Sequence, residues 1–394
     1  MDGFGRVLFI GPFKKWGGRE LESVQISLYL KSDKEFFLST VSELKEFMMY
    51  GKKVHTINTE LVKHEWRLKV VAIIRAVVKL DLDWFKYVKN QFAIKKMNYN
   101  DSHFNYLKAT IRSMDYVICF SSVSSSEFLS ISTICKMLNK KLIIRTTNTI
   151  GKIPEKNLNS ITDNFLFIHH NYVNASRLLE QKKHNFKLID QAAFQEDQLL
   201  VLGKKAKENF KFGFLGRLMP GKGILEIVNW FDELNLKNTE LLIAGNGILK
   251  QDIISFSSNN NISYFGELRI EETAGFMSNI DCLIISSEYE TGPLVGIEAM
   301  AAGKLILSTD VGCMKGRLEN TLNNFWFQLN DSSSFKTNLK AIKKLSYSEY
   351  CIIASGNRKR YLEKYSQNII SKSYQKAIKV NFYQGIFNNN ELCE

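Results

Sequence analysis

Two glutamates, Glu290 and Glu298, stand eight positions apart in the stretch SSEYETGPLVGIEAMAAGKLILSTDVG, residues 286 to 312. An ionised carboxylate has only hydrogen-bond acceptors, and it can accept two hydrogen bonds from neighbouring hydroxyl groups of a sugar. Gly292 and Pro293 lie between the glutamates. A glycine lets a ligand approach the backbone closely, and a proline suits the first turn of a helix, where its missing N–H is no loss. The stretch therefore predicts a loop and a helix start, with one carboxylate in each.

Two cations that suit phosphate groups precede these glutamates. The segment GFLGRLMPGKG places Arg217 and Lys222 five positions apart in a glycine-containing loop. Arginine binds phosphate through its planar fork, and lysine binds it as a point charge. A helix start near Pro293 also attracts phosphate, because free N–H groups and the helix dipole point towards it. Cations for a diphosphate beside carboxylates for hydroxyl groups indicate a phosphorylated ligand with a ribose diol near Glu298 and a second sugar near Glu290.

The elements that position these residues are short apolar runs alternating with helical patterns, which is typical of a parallel sheet covered by helices. Ligands of open α/β sheets bind at the carboxyl ends of the strands. Two further loops follow predicted strands, AGNG with Gly245 and Gly247, and FGEL with Leu268, and such loops commonly hold a base. The predicted strands are residues 6–11, 36–40, 116–122, 141–147, 210–216, 240–245, 262–267, 282–287 and 304–309, and the predicted helices of the second half are 223–234, 248–256, 270–278 and 293–301.

The length of 394 residues predicts two domains. A polar, unpatterned stretch, LGKKAKENF, places the boundary between domains at 1–205 and 206–394, and a long helical pattern begins near residue 346. The start of the chain does not have the pattern of a signal peptide, and no segment reaches the roughly 18 apolar residues of a membrane-spanning helix. The six scattered cysteines fit free thiols in a reducing cytoplasm.

The net charge of +13 is unevenly distributed along the chain. Residues 1–205 contain 32 Lys and Arg against 20 Asp and Glu, and the remainder contains 21 against 20. A basic half indicates an anionic partner, such as a membrane surface, a phosphorylated substrate or a nucleic acid.

One basic segment, residues 61–97, combines nine Lys and Arg with three acidic residues. It also carries aromatic residues and an apolar stripe at helical spacing: Trp66, Trp84, Phe85 and Phe92, with Val70, Ile73, Ile74, Val77 and Leu80. Such a helix can lie on an anionic bilayer. In the alternative interpretation the stripe packs on its own domain and the lysines are simply solvated. The sequence leaves both interpretations open.

Four elements in this order resemble one enzyme family: GRLMPGKG, then LLIAGNG, then YFGELRIEETAGFMSNIDCLIISS, then ETGPLVGIEAMAAGKLILSTDVG, over about residues 210–312. They are similar to the nucleotide-binding half of retaining glycosyltransferases of the GT-B fold, and more narrowly to glycosyltransferase family 4 with its E-x7-E motif. The resemblance implies an α/β GT-B fold, with two doubly wound Rossmann-like domains facing across a cleft. It also implies a final helix that crosses back to the N-terminal domain.

The resemblance assigns roles to the donor-binding residues. Arg217 and Lys222 would hold the donor diphosphate, Glu298 the ribose and Glu290 the donor sugar. Backbone groups at Gly292, Pro293, Leu294 and Val295 would meet the phosphate and sugar.

The first half resembles the family less closely. KKWGGRE looks like its Gly-Gly loop, which assigns Gly17 and Gly18 to the donor phosphates. Many relatives carry a histidine where this chain has Phe120 and Ser121. Candidates for the acceptor side are Arg145, Thr147 and Asn148, at the end of a predicted strand.

The implied reaction is retaining, metal-independent transfer of a sugar from a nucleotide-diphosphate sugar to a saccharide acceptor, with no cofactor. The basic half suits a lipid-linked acceptor in bacterial O-antigen, capsule or lipopolysaccharide synthesis. The protein would then be cytoplasmic and peripheral on the inner face of the plasma membrane. Two other classes of function remain: a catalytically inactive relative that acts as a binding or chaperone partner, and a nucleic-acid binder, which no recognition motif supports.

Two residue pairs invite a metal-site interpretation. Asp81 and Asp83 form a D-x-D, but they lie in the basic segment and not after a strand, so we expect solvated charges. His169 and His170 have no third ligand at metal spacing, so we expect a structural or acceptor-side pair.

Overall fold

The computed structural model describes residues 4–15, 17–146, 148–171, 175, 185–203, 209–257 and 261–383. Contacts within the chain divide it into two units: Met1–Ile189 with Ser371–Glu394, and Asp190–Ile370. Each unit is built around its own sheet.

The first unit contains an eight-stranded sheet in the order β3-β4-β2-β1-β5-β6-β7-β8. Neighbouring strands are parallel except β3, which pairs antiparallel with β4 at the edge. Central strands are buried along most of their length, as expected for a sheet covered on both faces. The strands are β1 (Arg6–Gly11), β2 (Lys34–Ser39), β3 (Phe47–Met49), β4 (Lys52–Thr56), β5 (Tyr116–Cys119), β6 (Lys141–Arg145), β7 (Phe165–His169) and β8 (Asn185–Leu188).

Helices connect these strands, and several begin at a polar residue that caps the free amides of the first turn. The hydroxyl of Thr56 accepts a hydrogen bond from Thr59 N at 3.2 Å, and that of Ser125 accepts one from Phe128 N at 3.1 Å. The helices are α1 (Gly18–Leu30), α2 (Ile57–His64), α3 (Trp66–Val78), α4 (Gln91–Lys96), α5 (Tyr99–Arg112), α6 (Ser126–Met137) and α7 (Glu155–Asn159), with a 3₁₀ helix at Trp84–Tyr87.

The second unit contains a six-stranded parallel sheet in the order β11-β10-β9-β12-β13-β14. The strands at its centre pair in register, with Leu283 of one strand beside Gly213 and Ile306 of its two neighbours. The strands are β9 (Phe210–Leu215), β10 (Thr239–Ala244), β11 (Ile262–Tyr264), β12 (Cys282–Ile285), β13 (Leu305–Thr309) and β14 (Phe325–Phe327).

The helices of the second unit include one that begins with a reciprocal capping box between Ser346 and Glu349, a pattern readable in the sequence. They are α8 (Glu196–Leu200), α9 (Ile224–Leu234), α10 (Lys250–Phe256), α11 (Thr273–Asn279), α12 (Leu294–Ala301), α13 (Met314–Leu318), α14 (Ser332–Lys344), α15 (Tyr347–Lys364) and the start of α16 (Gln367–Tyr383), with a 3₁₀ helix at Ile270–Glu272. From Ser371 onward, α16 groups with the first unit, where Gln375 Nε2 donates to Tyr29 O at 2.7 Å.

The alternation of buried strands and helices predicted from the sequence is confirmed in both units. Some strands escaped prediction. The strands β3, β4, β8 and β14 were not predicted, because β3 and β14 have only three residues each and the polar residues of β4 and β8 interrupt a continuous apolar run. The buried run FLFIH, which forms β7, fits the rule used for its neighbours.

The division between the units falls earlier than the predicted boundary at 205, which lies among residues 204–208, outside the described residues. Residues just after 189 pack into the second unit. Asp190 forms an ion pair with Arg317, at 2.7 Å between Oδ1 and Nη2. Glu196 accepts a hydrogen bond from the Tyr361 hydroxyl at 2.6 Å. These long-range partners, and not local composition, fix where the second unit begins.

Candidate functional site

The loops that follow β9 and β12 bring two predicted site residues together. Lys222 Nζ donates a hydrogen bond to Glu290 Oε1, and the hydroxyl of Ser287 donates to the same oxygen at 3.2 Å. The two charged side chains are 18% and 23% exposed, so a ligand at the surface can reach them. Because β9 and β12 are neighbouring parallel strands, residues far apart in sequence meet at their carboxyl ends.

The backbones of these two loops are also tied to each other. Ser286 Oγ donates to Lys222 O at 2.7 Å, and Glu288 N donates to Gly221 O at 2.9 Å. Gly223 has a left-handed φ of 65°, and a Cβ there would lie 2.2 Å from Ser286 O. The loops therefore hold Lys222 and Glu290 in a fixed relation. Sequence reasoning missed the two serines, although polar residues ending an apolar run are a signal for a strand end.

Arg217 lies in the same loop after β9, and its side chain is exposed. Among the residues that the structure describes, none forms a hydrogen bond or ion pair with its guanidinium. The neighbouring loop after β10 packs closely against this one, since a Cβ on Gly245 would lie 1.8 Å from Gly216 O and one on Gly247 would lie 2.1 Å from Leu218 O. Arg217 is thus positioned by its backbone while its charge remains available.

The loop after β11 completes this edge of the second sheet. Gly245 N donates to Gly266 O at 2.8 Å, and the Tyr264 hydroxyl donates to Gly245 O at 2.8 Å. Leu268 is half-buried and packs on the apolar cluster that also holds the buried face of α12. The structure therefore places Gly245, Gly247 and Leu268 in adjoining loops of one sheet edge.

Glu298, on the second turn of α12, is a buried carboxyl with 4% of its surface exposed. No hydrogen bond or ion pair reaches its side chain from any other described residue. Burial raises its pKa from 4.5 to about 7, because the interior disfavours the charged form. An unpaired buried carboxyl costs stability, and such groups concentrate at functional sites.

The start of α12 is held by a residue that the sequence did not reveal. Arg317 is fully buried, donates from Nη1 to Pro293 O at 2.7 Å, and binds Asp190 through Nη2 at 2.7 Å and Nε at 3.2 Å. The first amides of the helix, at Leu294 and Val295, have no acceptor within the helix, as at any helix start. Gly292 precedes them. No local pattern could link Arg317 with Asp190, because 127 positions separate them.

In the first unit, Gly17 and Gly18 follow the carboxyl end of β1 and begin α1. Gly17 N donates to the Tyr50 hydroxyl at 3.3 Å, and Gly17 O accepts from Leu21 N at 3.0 Å. Space around Gly18 is open, since a Cβ there would meet no atom within 4 Å. A Cβ at Gly17, in contrast, would lie 2.3 Å from Glu20 Oε2, and contact of this loop with a ligand stays a prediction.

The acceptor-side candidates differ from one another. Arg145 is 1% exposed and donates from Nε to Glu22 Oε1 at 2.8 Å and from Nη1 to Ile189 O at 3.0 Å. These bonds hold the interior of the first unit together and leave the guanidinium no access to a substrate. Asn148 is exposed, and its carbonyl lies 3.2 Å from His169 Nε2. Thr147 lies outside the described residues.

The two acidic groups that invited a metal interpretation have local partners. Asp81 accepts a hydrogen bond from the Tyr87 hydroxyl at 3.1 Å, and Asp83 pairs with Lys45 at 3.4 Å. A second cluster, Glu46, His55 and Glu60, has its ligand atoms close together. Lys63 Nζ binds the carboxylates of Glu46 and Glu60, at 2.8 Å and 2.6 Å. The hydrogen bond from Lys63 to Glu46 is the main reason that the pKa of Glu46 falls to about 2.

The basic segment, residues 61–97, exposes the apolar stripe that the sequence identified. In α3, Leu68, Ala72 and Ala76 are buried against the first unit, while Val77 is 68% exposed. The interpretation in which the stripe packs on its own domain is therefore wrong, because a second, narrower line of residues makes that contact. Within the described part of the chain, no helix is long and apolar enough to cross a membrane.

Comparison with known proteins shows which proteins the second unit resembles. Residues 195–368 match the family described as glycosyl transferases group 1. An uncharacterized glycosyltransferase of Methanocaldococcus jannaschii is 24% identical over 192 residues, which cover 47% of this chain and 46% of that protein. The capsular polysaccharide biosynthesis glycosyltransferase CapM of Staphylococcus aureus is 27% identical over 176 residues, 42% of this chain and 45% of that protein. The chain thus spans about half the length of these relatives.

Solved structures extend the likeness to both units, at the level of the fold. HepE of Anabaena, in complex with UDP and glucose, has a TM-score of 0.69 and 14% identity, over 95% of this chain and 99% of that one. The predicted α/β GT-B fold is confirmed by the two Rossmann-like units, each built on a largely parallel sheet, and by the likeness to the HepE structure. The match to the glycosyl transferases group 1 family lies within the second unit.

Proposed function

We propose that the protein transfers a sugar from a nucleotide-diphosphate sugar to a saccharide acceptor, with retention at the anomeric carbon. The contact between Lys222 and Glu290 at the carboxyl ends of β9 and β12 carries this proposal. It supports a site where a cation meets a diphosphate and a carboxylate meets the adjoining sugar. The family match over residues 195–368 agrees with this activity.

The chemistry follows from where charge develops. The bond between the anomeric carbon and the diphosphate oxygen breaks, so negative charge grows on the leaving diphosphate. Lys222, Arg217 and the first amides of α12 would stabilise this charge. The acceptor hydroxyl forms the new bond on the same face, and its proton passes to the departing phosphate oxygen. Glu290, released from Lys222 when the diphosphate binds, would accept hydrogen bonds from the donor sugar.

Glu298 would hold the ribose. A buried carboxylate that accepts two hydrogen bonds from a vicinal diol gains the partners that the structure does not provide. Gly292, Pro293, Leu294 and Val295 would bring the backbone to the phosphate and sugar. The assignment of Gly17 and Gly18 to the donor phosphates stays a prediction from the sequence.

The reaction proposed here uses no metal, because Lys222, Arg217 and the helix start supply the positive charge. We expect transfer from nucleotide sugars to a membrane-lipid extract to keep at least about 80% of its rate in excess EDTA. Radiolabelled sugar recovered in the extract measures the rate. A matched reaction with EDTA and added Mg²⁺ controls for chelator effects, and loss of transfer that Mg²⁺ restores would overturn metal independence.

We also propose that the acceptor is lipid-linked and that the protein works at the inner face of the plasma membrane in surface-polysaccharide synthesis. The name of one relative, a capsular polysaccharide enzyme, agrees with such a pathway. The stronger support is the exposed apolar face of the first unit, because soluble proteins rarely leave a large apolar patch open to water.

The geometry of α3 suits a helix lying in a membrane surface. At about 100° of rotation per residue, the buried line Leu68, Ala72 and Ala76 points into the unit. The opposite side is mostly apolar, with the exposed Arg67 among its residues. That side and the following turn expose Trp66, Val70, Ile73, Ile74, Val77, Val78, Leu80 and Leu82, the last two at 94% and 100%. Lys69 and Arg75 lie on the two borders between these faces. Pairing with a second copy would bring like charges together, whereas anionic headgroups would neutralise them.

Removing apolar residues from this face should weaken membrane binding that salt does not abolish. We expect the triple variant Val77→Ser, Leu80→Ser and Leu82→Ser to partition at least about tenfold less onto vesicles of phosphatidylglycerol and phosphatidylethanolamine, since each side chain loses its transfer from water. Lysines near an anionic surface contribute about 1 kcal/mol each, so wild-type binding should also fall with salt. Co-sedimentation measures both effects.

A matched control replaces three exposed apolar residues of the second unit, as Val201→Ser, Leu322→Ser and Ile352→Ser. This variant should bind vesicles as the wild type does. Equal sedimentation of both triple variants, or no sedimentation of the wild type, would contradict the membrane proposal.

A further inference from the structure

The short helix α13 lies directly against α12 and against the loop that carries Glu290. A Cβ on Gly296 of α12 would lie 2.6 Å from Met314 Sδ, so the two helices pack with no space for a side chain between them. In the turn before α13, a Cβ on Gly312 would lie 2.5 Å from Thr291 O. The turn and the helix together therefore support the segment that runs from Glu290 into α12.

One buried side chain of α13 joins the start of α12 to a distant part of the chain. Arg317 is fully buried, and its Nη1 donates to Pro293 O, the carbonyl at the N-cap of α12, at 2.7 Å. Its Nη2 and Nε donate to the carboxylate of Asp190 at 2.7 and 3.2 Å, and Nη2 also donates to Gln191 Oε1 at 3.2 Å. Because a guanidinium presents its N–H groups in a fixed planar geometry, the position of Asp190 determines where Pro293 O is held.

The segment that begins with Asp190 is itself fixed within the second unit, of which Asp190 is the first residue. Its Oδ1 accepts a hydrogen bond from Gln191 N at 2.8 Å. Further along, Ala193 N donates to the Tyr361 hydroxyl at 3.2 Å, and that hydroxyl donates to Glu196 at 2.6 Å. Arg317 therefore connects the start of α12 to an anchored segment and not to a loose one.

Stability alone is a weak reason for a buried ion pair. The desolvation of two charges offsets their attraction, and apolar side chains of similar volume often fill such a space equally well. An apolar side chain cannot donate a charge-assisted hydrogen bond to Pro293 O, as Arg317 does. This hydrogen bond is what the arginine adds to the packing.

The carbonyl that Arg317 holds belongs to the same peptide group as the N–H of Leu294, the first amide of α12. A trans peptide group is planar, and its C=O and N–H point in opposite directions. Fixing Pro293 O on the side of α13 therefore also fixes the direction of the Leu294 N–H, which points away from Arg317.

We propose that Arg317 is a positioning residue for sugar transfer, which directs the Leu294 N–H at the second phosphate of the nucleotide sugar. Arg317 is buried and paired with Asp190, so it acts through the peptide group and does not bind the phosphate itself. The inference rests on the proposed function, in which the first amides of α12 meet the leaving diphosphate.

Nucleotide affinities of the full chain, measured by calorimetry, test this role. The probes are UDP, GDP, ADP and dTDP, each compared with its own monophosphate. We expect the wild type to bind at least one diphosphate at least about tenfold more tightly than the matching monophosphate. In Arg317→Met this preference should fall at least about fivefold, because a hydrogen bond to a charged phosphate is misaligned, while monophosphate affinity stays within about twofold. General damage to the fold would weaken both nucleotides alike.

Arg358→Met is the matched control, because Arg358 is a half-buried arginine that binds the opposite end of the same helix. It donates to Ala301 O at 3.0 Å and to Ala302 O at 2.7 Å. This variant should melt at a lower temperature and keep the diphosphate preference of the wild type. Arg317→Lys should restore part of the preference, since an ammonium group can still donate to Pro293 O.

Removing Arg317 alone leaves the Asp190 carboxylate as an uncompensated charge, which strongly destabilises a fold. The double variant Asp190→Leu with Arg317→Met removes both charges together, and it provides the test if thermal melting shows that Arg317→Met is unfolded. An unchanged diphosphate preference in the folded variant, or an equal loss in Arg358→Met, would overturn the positioning role. A wild type that binds no diphosphate more tightly than its monophosphate would instead reject the proposed donor site, and the positioning role with it.

Discussion

Lys222→Met is expected to lower the turnover of sugar transfer by about 100- to 1000-fold and to weaken donor binding much less. The charge that Lys222 faces grows as the diphosphate leaves, so its contribution is larger in the transition state than in the bound donor. Removal of one preorganised donor from a site of developing charge commonly costs about 2.7–4 kcal/mol of activation free energy. Steady-state kinetics with saturating donor measures the turnover, and calorimetry measures donor affinity.

The contact between Lys222 and Glu290 predicts that their substitutions affect donor binding non-additively. Without Lys222, the Glu290 carboxylate faces the diphosphate with no neutralising partner. We therefore expect the double variant Lys222→Met with Glu290→Gln to bind the donor more tightly than Lys222→Met alone, which is a non-additive result typical of residues in contact. Lys237→Met, an exposed lysine of the second unit, is the matched control. Turnover of Lys222→Met within threefold of the wild type would remove Lys222 from the site.

Glu298→Gln is expected to act in opposite directions on stability and on donor binding. The folded-state pKa of Glu298 is raised to about 7 by burial, while that of the unfolded chain stays near 4.5. Between these pH values the unfolded chain releases the proton and the folded protein keeps it, so wild-type stability falls as pH rises. Above pH 7 the carboxyl is ionised in both the folded and the unfolded chain, and the loss of unfolding free energy reaches a constant value of about 3 kcal/mol. Glutamine cannot ionise, so the variant avoids this loss.

Thermal melting at pH 4.5 and pH 8 tests the stability effect. The variant and the wild type should melt alike at the lower pH, and the variant should melt several degrees higher at pH 8. Donor affinity should fall about 10- to 100-fold, because an amide accepts fewer and weaker hydrogen bonds from the ribose diol than a carboxylate does. Glu226→Gln, an exposed glutamate on α9, should change neither property. A variant that melts lower than the wild type at pH 8 with unchanged donor affinity would contradict the assignment.

Five of the six strands of the second sheet, with their loops, could be predicted from the sequence, because each is a short apolar run followed by small or polar residues, whereas β14 was not predicted. β12 and β13 are examples, and the contact between Lys222 and Glu290 follows from parallel neighbours sharing one edge. The edge strands β3 and β8 were harder to identify, because β3 has only three residues and the polar residues of β8 break the apolar pattern.

Long-range partners account for what sequence reasoning could not find. The ion pair of Arg317 with Asp190 supports the start of α12, and neither residue has a neighbour in sequence that marks it. Arg145 ends a strand as a ligand-binding residue would, yet Glu22 from α1 meets it in the interior. Only the fold shows which of two similar positions, Arg145 or Arg217, points its charge outward.

The basic segment shows a different limit. Helical periodicity identified an apolar stripe, but α3 has two apolar lines, and the small residues Ala72 and Ala76 form the one that packs. Small side chains let a helix lie close to its neighbour, so the bulkier residues are left outside. Size, as well as hydrophobicity, decides which face of such a helix is buried.

Release of nucleoside diphosphate from a panel of nucleotide sugars tests directly whether the protein transfers sugars from such donors. Purified wild type and Lys222→Met are incubated with UDP-, GDP-, ADP- and dTDP-sugars, with and without a bacterial lipid extract. We expect the wild type to release nucleoside diphosphate from at least one of these donors, faster with the extract, and Lys222→Met to release it at about 1% of that rate or less. No release from any donor by the wild type, or equal release by the two proteins, would contradict this expectation.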